Sequence, residues 1–380
     1  MYATKPLSIF RSQAEASSQL PPEDSSSAAC HLVVKEDEPD VETTCCWGFC
    51  KDTRVRDLPF PQNKILTVSY SEQQGENRRH YTAVAYFIPV LDKPLSSNQY
   101  YVVVAKGRKK GKVYTCSTEE EMTTCCFCRC INDVQPKVFD DRDVYQRMEI
   151  ISHKGRFTAK SVASDGFPPT IFRKKYWKLH ASQPKDYNLG EAAGLNDALR
   201  SRLPELDFPI SSIGKWYCPF VFVKEARSLK EQMSKATFYE VSLDRSWEEV
   251  YVLENFHGDA KVVQMKATTR SKRVLLDGQE AVQEGQADGF VWFKNVMGSN
   301  GERVGLSLVV WERMRWEESR AGWVESDEVV EKVEEYGGSN LWKKYRCYVL
   351  MERFVFKRMD GSYALTFEFR HNNKVRTKWD

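Results

Sequence analysis

The sequence predicts a β-rich (α+β) protein: two antiparallel, sandwich-like or barrel-like β domains accompanied by a few short helices. Three observations carry that expectation. From Lys64 to the C-terminus, runs of β-branched and aromatic residues recur, each closed by Gly, Pro, Asn or Asp. Ten Trp, seventeen Tyr and twenty Phe supply aromatic bulk that suits a pleated surface better than a helical bundle. At 380 residues with 41% apolar content, the chain is long enough for more than one core.

Residues 1–54 read as a largely disordered N-terminal arm, because Ser12 to Glu42 is rich in Ser, Pro, Glu and Asp. Leu32–Val34 is its candidate edge strand. The first β-rich domain, 55–180, opens with the strands KILTVSY, YTAVAYFIPV, QYYVVVA and KVYTC. The last two are joined by KGRKKGK, a hairpin tip. Ser117 and Glu120 have capping-box spacing, so TEEEMTT is expected to begin a short helix. RMEIISHKGRFTAKSV reads as a hairpin turning at His153-Lys154-Gly155.

Residues 181–208 form a polar linker with one short helix in EAAGLNDALRSRL. The second β-rich, Trp-rich domain, 209–380, holds a helix at LKEQMSKA. Its expected strands are TFYEVSL, EEVYVLEN, KVVQMKA, RVLLDG, GFVWFKNV and VGLSLVVWERM, with a turn at Gly298–Gly301. Ser326 to Tyr336 places Val329, Val330, Val333 and Tyr336 on one helical face, and Gly337 follows as a stop. ERFVFKRMDGSYALTFEF reads as a hairpin around a two-residue type I′ turn at Asp360-Gly361.

Several strings are specific as well as strand-like: MYATKPLSIF, CWGFCK, LPFPQNKILTV, FIPVLDKPLSSNQYYVV, GRKKGKVYTCSTEEEM, DVYQRMEI and SVASDGFPPTIFRKKYW. Through them nearly the whole chain resembles a plant protein family catalogued as domain of unknown function 1262. The resemblance implies a plant source and a soluble protein, and transfers no catalytic or binding residue to this chain.

Composition narrows the partners. A net charge of +3 does not by itself mark a nucleic-acid binder. The longest apolar runs, such as AVAYFIPVL, fall short of the roughly 20 residues a transmembrane helix needs. The N-terminal stretch has no apolar core of a secretory signal, and the eleven cysteines are odd in number. Both point to a reducing compartment: the cytoplasm, or the nucleus.

Seven of those cysteines lie in TTCCWGFC (43–50) and TTCCFCRC (123–130). Cys46 and Cys50, with Cys125 and Cys128, have the C-x₂₋₄-C spacing that brings two thiolates to one tetrahedral zinc. Against a structural zinc stand about 75 residues between the pairs, where compact zinc modules have roughly 12–20. The competing reading is reduced cysteines packed as small hydrophobes. Palmitoylation of such clusters lacks a second membrane signal, and a cysteine nucleophile lacks a paired His. Apart from that zinc, no cofactor is expected.

Lys106, Arg108, Lys109, Lys110 and Lys112 put five cations in seven residues and are candidate anion or phosphate contacts. They do not form a Walker A loop: the glycine spacing is one short, Val113 replaces the hydroxyl residue, and a strand follows. Trp292, Trp311, Trp316, Trp323 and Trp342 suit either a core or a sugar-stacking face. Glu317-Glu318 and Glu248-Glu249 recur as acidic pairs, but two glycosidase carboxylates must face each other across a cleft, which adjacency does not establish. With no assembled catalytic motif, the expected function is a non-enzymatic, soluble interaction module for a protein partner in a stress or defence setting. The alternatives are a β-module for carbohydrate or an acidic lipid surface, and an enzyme of unrecognised type; nucleic acid is not an expected partner.

Overall fold

The structure, a computed structural model, describes residues 1–12, 30–35, 44–45, 50–51, 53–125, 128–182, 187, 189–207, 210–256, 261–296, 303–325, 328–338 and 341–380. They are mostly strand with a few short helices, as the aromatic and β-branched runs imply. The chain divides into two compact units. The first comprises Met1–Ala192, Tyr217–Val223 and Arg227–Thr237, and the second Ala193–Trp216, Lys224–Ala226 and Phe238–Asp380.

In the first unit the strands are β1 (Tyr2–Pro6), β2 (Cys30–Val34), β3 (Ile65–Gln74), β4 (Asn77–Pro89), β5 (Gln99–Val104), β6 (Arg147–His153), β7 (Arg156–Ser161) and β8 (Lys178–Ser182). The main sheet runs β7–β6–β5–β4–β3–β8, with Arg54–Val55 outside β8. Alternate residues of these strands, among them Val68, Phe87, Val102 and Ile150, share one core with Phe60, Phe157, Phe172 and Trp177. Phe60 stands 4.9 Å from Phe157 and 5.0 Å from Phe87, both edge-on. The Trp177 indole N–H donates to the Phe172 carbonyl at 3.1 Å, satisfying the one polar atom that this ring carries inside.

Of the residues read as a disordered arm, β1 and β2 pair in parallel, and Tyr2 also lies opposite Tyr217. Leu32 and Val33 are fully buried, and the Gln62 backbone N–H donates to the Val33 carbonyl at 2.8 Å. The β6–β7 hairpin turns at Lys154 and Gly155, both left-handed, as its sequence anticipates.

The capping box lies one residue further on than Ser117/Glu120 would put it. The Thr118 hydroxyl accepts from the Glu120 N–H, and the Glu121 carboxylate accepts the Thr118 N–H at 2.6 Å. It starts a single 3₁₀ turn, Glu119–Glu121, rather than a longer helix, and a strand begins at Met122. The cause is local competition: Ser117 is taken up elsewhere, its hydroxyl donating to the Asn132 carbonyl at 2.7 Å.

The basic tip is tight, with the Lys112 carbonyl accepting from the Val104 N–H at 2.8 Å and Gly107 and Gly111 both left-handed. Gly111 rests on helix Leu229–Lys235, part of the same unit: a Cβ there would lie 2.9 Å from Leu229 Cβ and 3.1 Å from Met233 Sδ. Gly111→Ala is therefore expected to cost about 2–3 kcal/mol, backbone strain plus overpacking. Gly107→Ala, which meets open space, should cost only about 1–2 kcal/mol from the backbone alone. Urea unfolding of the two variants compares them directly, and equal losses would remove the helix contact from the account.

The second unit contains β9 (Ser211–Pro219, of which Ser211–Trp216 belongs here), β10 (Phe238–Glu254), β11 (Val262–Thr269), β12 (Lys272–Leu276), β13 (Gln279–Ala287), β14 (Phe290–Asn295), β15 (Arg303–Ser307), β16 (Glu328–Glu335), β17 (Lys344–Lys357) and β18 (Tyr363–Trp379). Its helices are α1 (Asp197–Arg200) and α2 (Leu308–Arg320). The large sheet runs β15–β14–β13–β12–β18–β17–β10–β9. Trp311 of α2 packs 5.7 Å from Phe293 and 5.1 Å from Phe367. A second core at the far end of β17 and β18 gathers Met265, Val330, Tyr345 and Val349, with the Trp342 and Trp379 rings 4.9 Å apart.

Three local expectations are corrected here. VGLSLVVWERM is a strand only to Ser307; from Leu308 it is helix, because Val310, Trp311, Met314, Glu317 and Glu318 recur at helical spacing and all turn inward. Glu328–Glu335 is strand, not helix. Pairing with β11 makes its alternation decisive, burying Val330 while Val329 and Val333 are exposed. The β17–β18 loop is five residues long rather than two, with Gly361 left-handed and Asp360 not. Asp360 instead accepts from the Ser362 N–H at 2.9 Å in an Asx turn. The turn expected at Gly298–Gly301 lies outside the described residues.

Candidate functional site

Charged side chains are buried together in the second unit. Arg245 on β10 lies directly opposite Glu352 on β17, and β18 places Phe369 opposite Glu352, with His371 two residues on along the same face. Helix α2 contributes Glu317, Glu318 and Arg313, the acidic continuation of its buried stripe. α1, capped by the Asn196 side chain on the Leu199 N–H at 3.0 Å, contributes Arg200. Glu317, Glu318, Glu352 and His371 are no more than 1% exposed.

The partners are specific. Arg245 donates to Glu352 Oε1 from Nε at 2.9 Å and from Nη2 at 2.6 Å, and to the Arg202 carbonyl at 2.8 Å. Arg200 donates to Glu352 Oε2 from Nε at 3.1 Å, to Glu317 Oε2 at 3.3 Å and to Glu318 Oε1 at 3.0 Å. Arg313 pairs with Glu317 at 2.6 Å. His371 Nε2 lies 2.9 Å from Glu318 Oε2 and 3.9 Å from Glu352 Oε2, and its Nδ1 is buried without a hydrogen-bond partner. The proton therefore belongs on Nε2, donated to Glu318, since a bare acceptor costs less than a bare N–H.

Burial divides these groups. Loss of water pushes His371 down to about 4, so it is neutral at neutral pH, with the Glu352 charge opposing the shift. Burial would raise Glu352, but Arg200 and Arg245 hold it down at about 2. Burial and the Glu352 charge push Glu318 well above the usual carboxylate range, against the pull of Arg200.

Glu318, Glu352 and His371 bring three donor atoms within 4.8 Å of one another, the donor set of a transition-metal site. Chemically they fit one poorly. Arg200 already sits against both carboxylates, where a metal ion would have to sit, and its guanidinium supplies the compensating charge. The arrangement is a closed ion-pair network that ties one helix, one helical turn and three strands together.

The residues singled out in the sequence are distributed otherwise. Cys46 lies outside the described residues, as do the side chains of Cys50, Cys125 and Cys128, although the backbone places Cys125 opposite Cys128 in a short hairpin. Cys30, Cys116, Cys218 and Cys347 are buried, and burial pushes their thiols up to about 12, 11, 12 and 11. Thiols held protonated this way are packing groups rather than nucleophiles.

Trp311, Trp323 and Trp342 face the interior. Trp316 lies between Arg313 and Arg320, 4.7 and 5.0 Å from its ring, and Arg303 covers Trp292 at 4.8 Å. Glu248 is held in a two-pronged pair by Arg370, and Glu249 lies 3.8 Å from Arg346.

Lys106 and Arg108 are exposed at the first unit's basic tip, with Lys109, Lys110 and Lys112 half-buried. The tertiary structure adds to them. Val113 exchanges backbone hydrogen bonds with Lys137 at 2.8 and 3.0 Å, and helix Leu229–Lys235 under Gly111 carries exposed Lys230 and Lys235, with Arg227 just before it. No sequence signal links the tip to this helix, which lies more than a hundred residues further along the chain.

Together these features define a mostly β protein with a buried ion-pair network in one unit and a basic, solvent-facing tip in the other. Residues 25–127 match the family described as "Protein of unknown function (DUF1262)". No curated protein matches the chain. Among solved structures, the crystal structure of Cry35Ab1 is similar at 10% identity with a TM-score of 0.45, covering 84% of this chain and 90% of that one. Among the described residues, no helix is long and apolar enough to cross a membrane.

Proposed function

We propose that this chain is a non-enzymatic interaction module of the cytoplasm that docks an acidic segment of a protein partner. The observation behind it is the first unit's basic face, where the Lys106–Lys112 tip rests on a helix carrying Lys230 and Lys235. Two left-handed glycines and the helix beneath hold the tip in shape, so its cations are presented with little ordering to be done on binding. The convergent titratable groups of the second unit support the same reading, because they are spent on one another inside the protein.

Such a face should bind a short poly-glutamate peptide with an affinity that falls steeply as salt rises. Charge reversal at Lys109 and Lys110 should weaken that binding about tenfold or more in fluorescence anisotropy. Unchanged affinity in the reversed variant would refute the docking face. Sedimentation with phosphatidylserine vesicles in the absence of peptide binding would refute it in favour of an acidic lipid surface.

A further inference from the structure

One wall of the first unit's main sheet carries flat rings and cations together. A bridge between Phe157 and Trp177 joins the edge strand β7 to the chain entering β8, and both side chains are fully buried. The residues alternating with them therefore face outward: Arg156, Lys160 and Lys178 are exposed, as are Lys154 in the β6–β7 turn and Lys175. Tyr176 is 45% exposed, and its ring lies 5.1 Å from that of His153. We infer that this wall binds a single-stranded nucleic acid, its cations following the phosphates and Tyr176 stacking on a base.

Three observations support that partner. Tyr176 is left-handed, at φ +68°, where a bulky side chain is strained. The fold imposes that conformation. Trp177 and Phe157 exchange two backbone hydrogen bonds of 3.0 Å, Glu72 holds Lys174 at 3.0 Å, and the Tyr176 N–H donates to the Thr158 hydroxyl at 3.3 Å. An exposed ring gains no core packing in return, and strain of this kind gathers at binding sites. Secondly, among the described residues none of Lys154, Arg156, Lys160, Lys175 and Lys178 is in an ion pair, and β6 and β7 together contain one carboxylate, Glu149. A row of such cations complements an anion that recurs along a chain, as phosphate does. Thirdly, the Tyr176 and His153 rings, tilted 47° to one another, present π-faces that a base can stack on and that a polyanion without bases leaves unused. Net charge conceals this wall, because +3 is summed over 380 residues while binding is decided locally. The wall shares no residue with the Lys106–Lys112 tip.

Fluorescence anisotropy of the full chain with labelled oligomers of about twelve nucleotides tests the assignment. Oligothymidylate or oligouridylate is expected to bind saturably, the tighter of the two identifying the sugar, with an affinity that falls as salt rises. An abasic deoxyribose-phosphate strand of the same length should bind about tenfold more weakly, for want of a base on Tyr176. Tyr176→Ala should lower oligothymidylate to that abasic level and leave the abasic strand unchanged, while Tyr176→Phe keeps the wild-type affinity. Arg156→Glu and Lys178→Glu should each weaken both strands about fivefold or more. These are exposed positions, so their unfolding midpoints should stay near the wild-type value. The preference for bases should survive Lys109→Glu, and Tyr176→Ala should leave poly-glutamate binding unchanged, so the two faces fail separately. No binding of either oligomer, equal affinity for the thymidine and abasic strands, wild-type binding by Tyr176→Ala, or tighter binding of polygalacturonate than of either oligomer would overturn the inference.

Discussion

Replacing Glu352 with alanine is expected to cost about 3–5 kcal/mol of folding stability, the largest single-residue effect in the second unit. Glu352 is fully buried and takes up two guanidinium groups, Arg200 and Arg245. Removing it leaves both cations inside the protein without their common counter-charge, while Glu317 and Glu318 answer only Arg200. The penalty is that of an uncompensated buried charge, not the lost attraction alone. Urea unfolding of wild type and Glu352→Ala gives the difference. A second variant separates the two causes: Glu352→Leu combined with Arg245→Met removes a charge of each sign and should recover part of the loss. A single variant within about 1 kcal/mol of wild type would mean that water reaches the network and solvates the arginines.

The second expected result is an acid-dependent loss of stability traceable to His371. Its folded-state value is held at about 4, below the usual 6.5, so the unfolded chain takes up the proton first as pH falls. The contribution is therefore complete above about 6.5 and drains away as pH falls through about 4, for a total of about 3 kcal/mol. Glu318 runs the other way: raised in the folded state, it loses stability as pH rises above the ordinary carboxylate value. Glu352, lowered to about 2, loses its contribution only in more acid solution. The His371 part is isolated by comparison with His371→Gln, which cannot titrate. The gap in unfolding free energy between wild type and this variant should narrow by about 3 kcal/mol from pH 7 to pH 4. A gap that stays constant would show that His371 carries its charge inside the fold, facing Glu318 and Glu352 with Lys374 nearby.

Much of the local structure can be read from the residues, and where the reading fails the failures share a cause. LKEQMSKA is helical, with Ser228 and Glu231 closing a capping box through bonds of 3.1 and 3.3 Å. VGLSLVVWERM and the Ser326–Tyr336 stretch went the other way, because short apolar runs carry both periods and the packing partner chooses between them. Glu318 drew notice as half of an acidic pair, yet its partners lie 34, 53 and 118 residues away, at Glu352, His371 and Arg200. One signal was present: Glu352 and His371 are polar interruptions in the apolar runs of YVLMERFVF and LTFEFRH. A polar residue in such a run is either exposed or paired, and the run alone does not say which.

What the sequence determines by itself is whatever depends on neighbours along the chain: the β-rich class, the hairpin at Lys154-Gly155, the helix at LKEQMSKA, and a basic tip held by Gly107 and Gly111. These follow from backbone sterics and side-chain alternation within a few residues. What only the tertiary structure decides is which distant charges meet. Strand register sets Arg245 against Glu352, and a helix laid over that sheet face brings Glu318 to His371. The reason is physical: one step of register carries every side chain of a strand to the opposite face, so a buried charge is matched or stranded by pairings that no local pattern encodes.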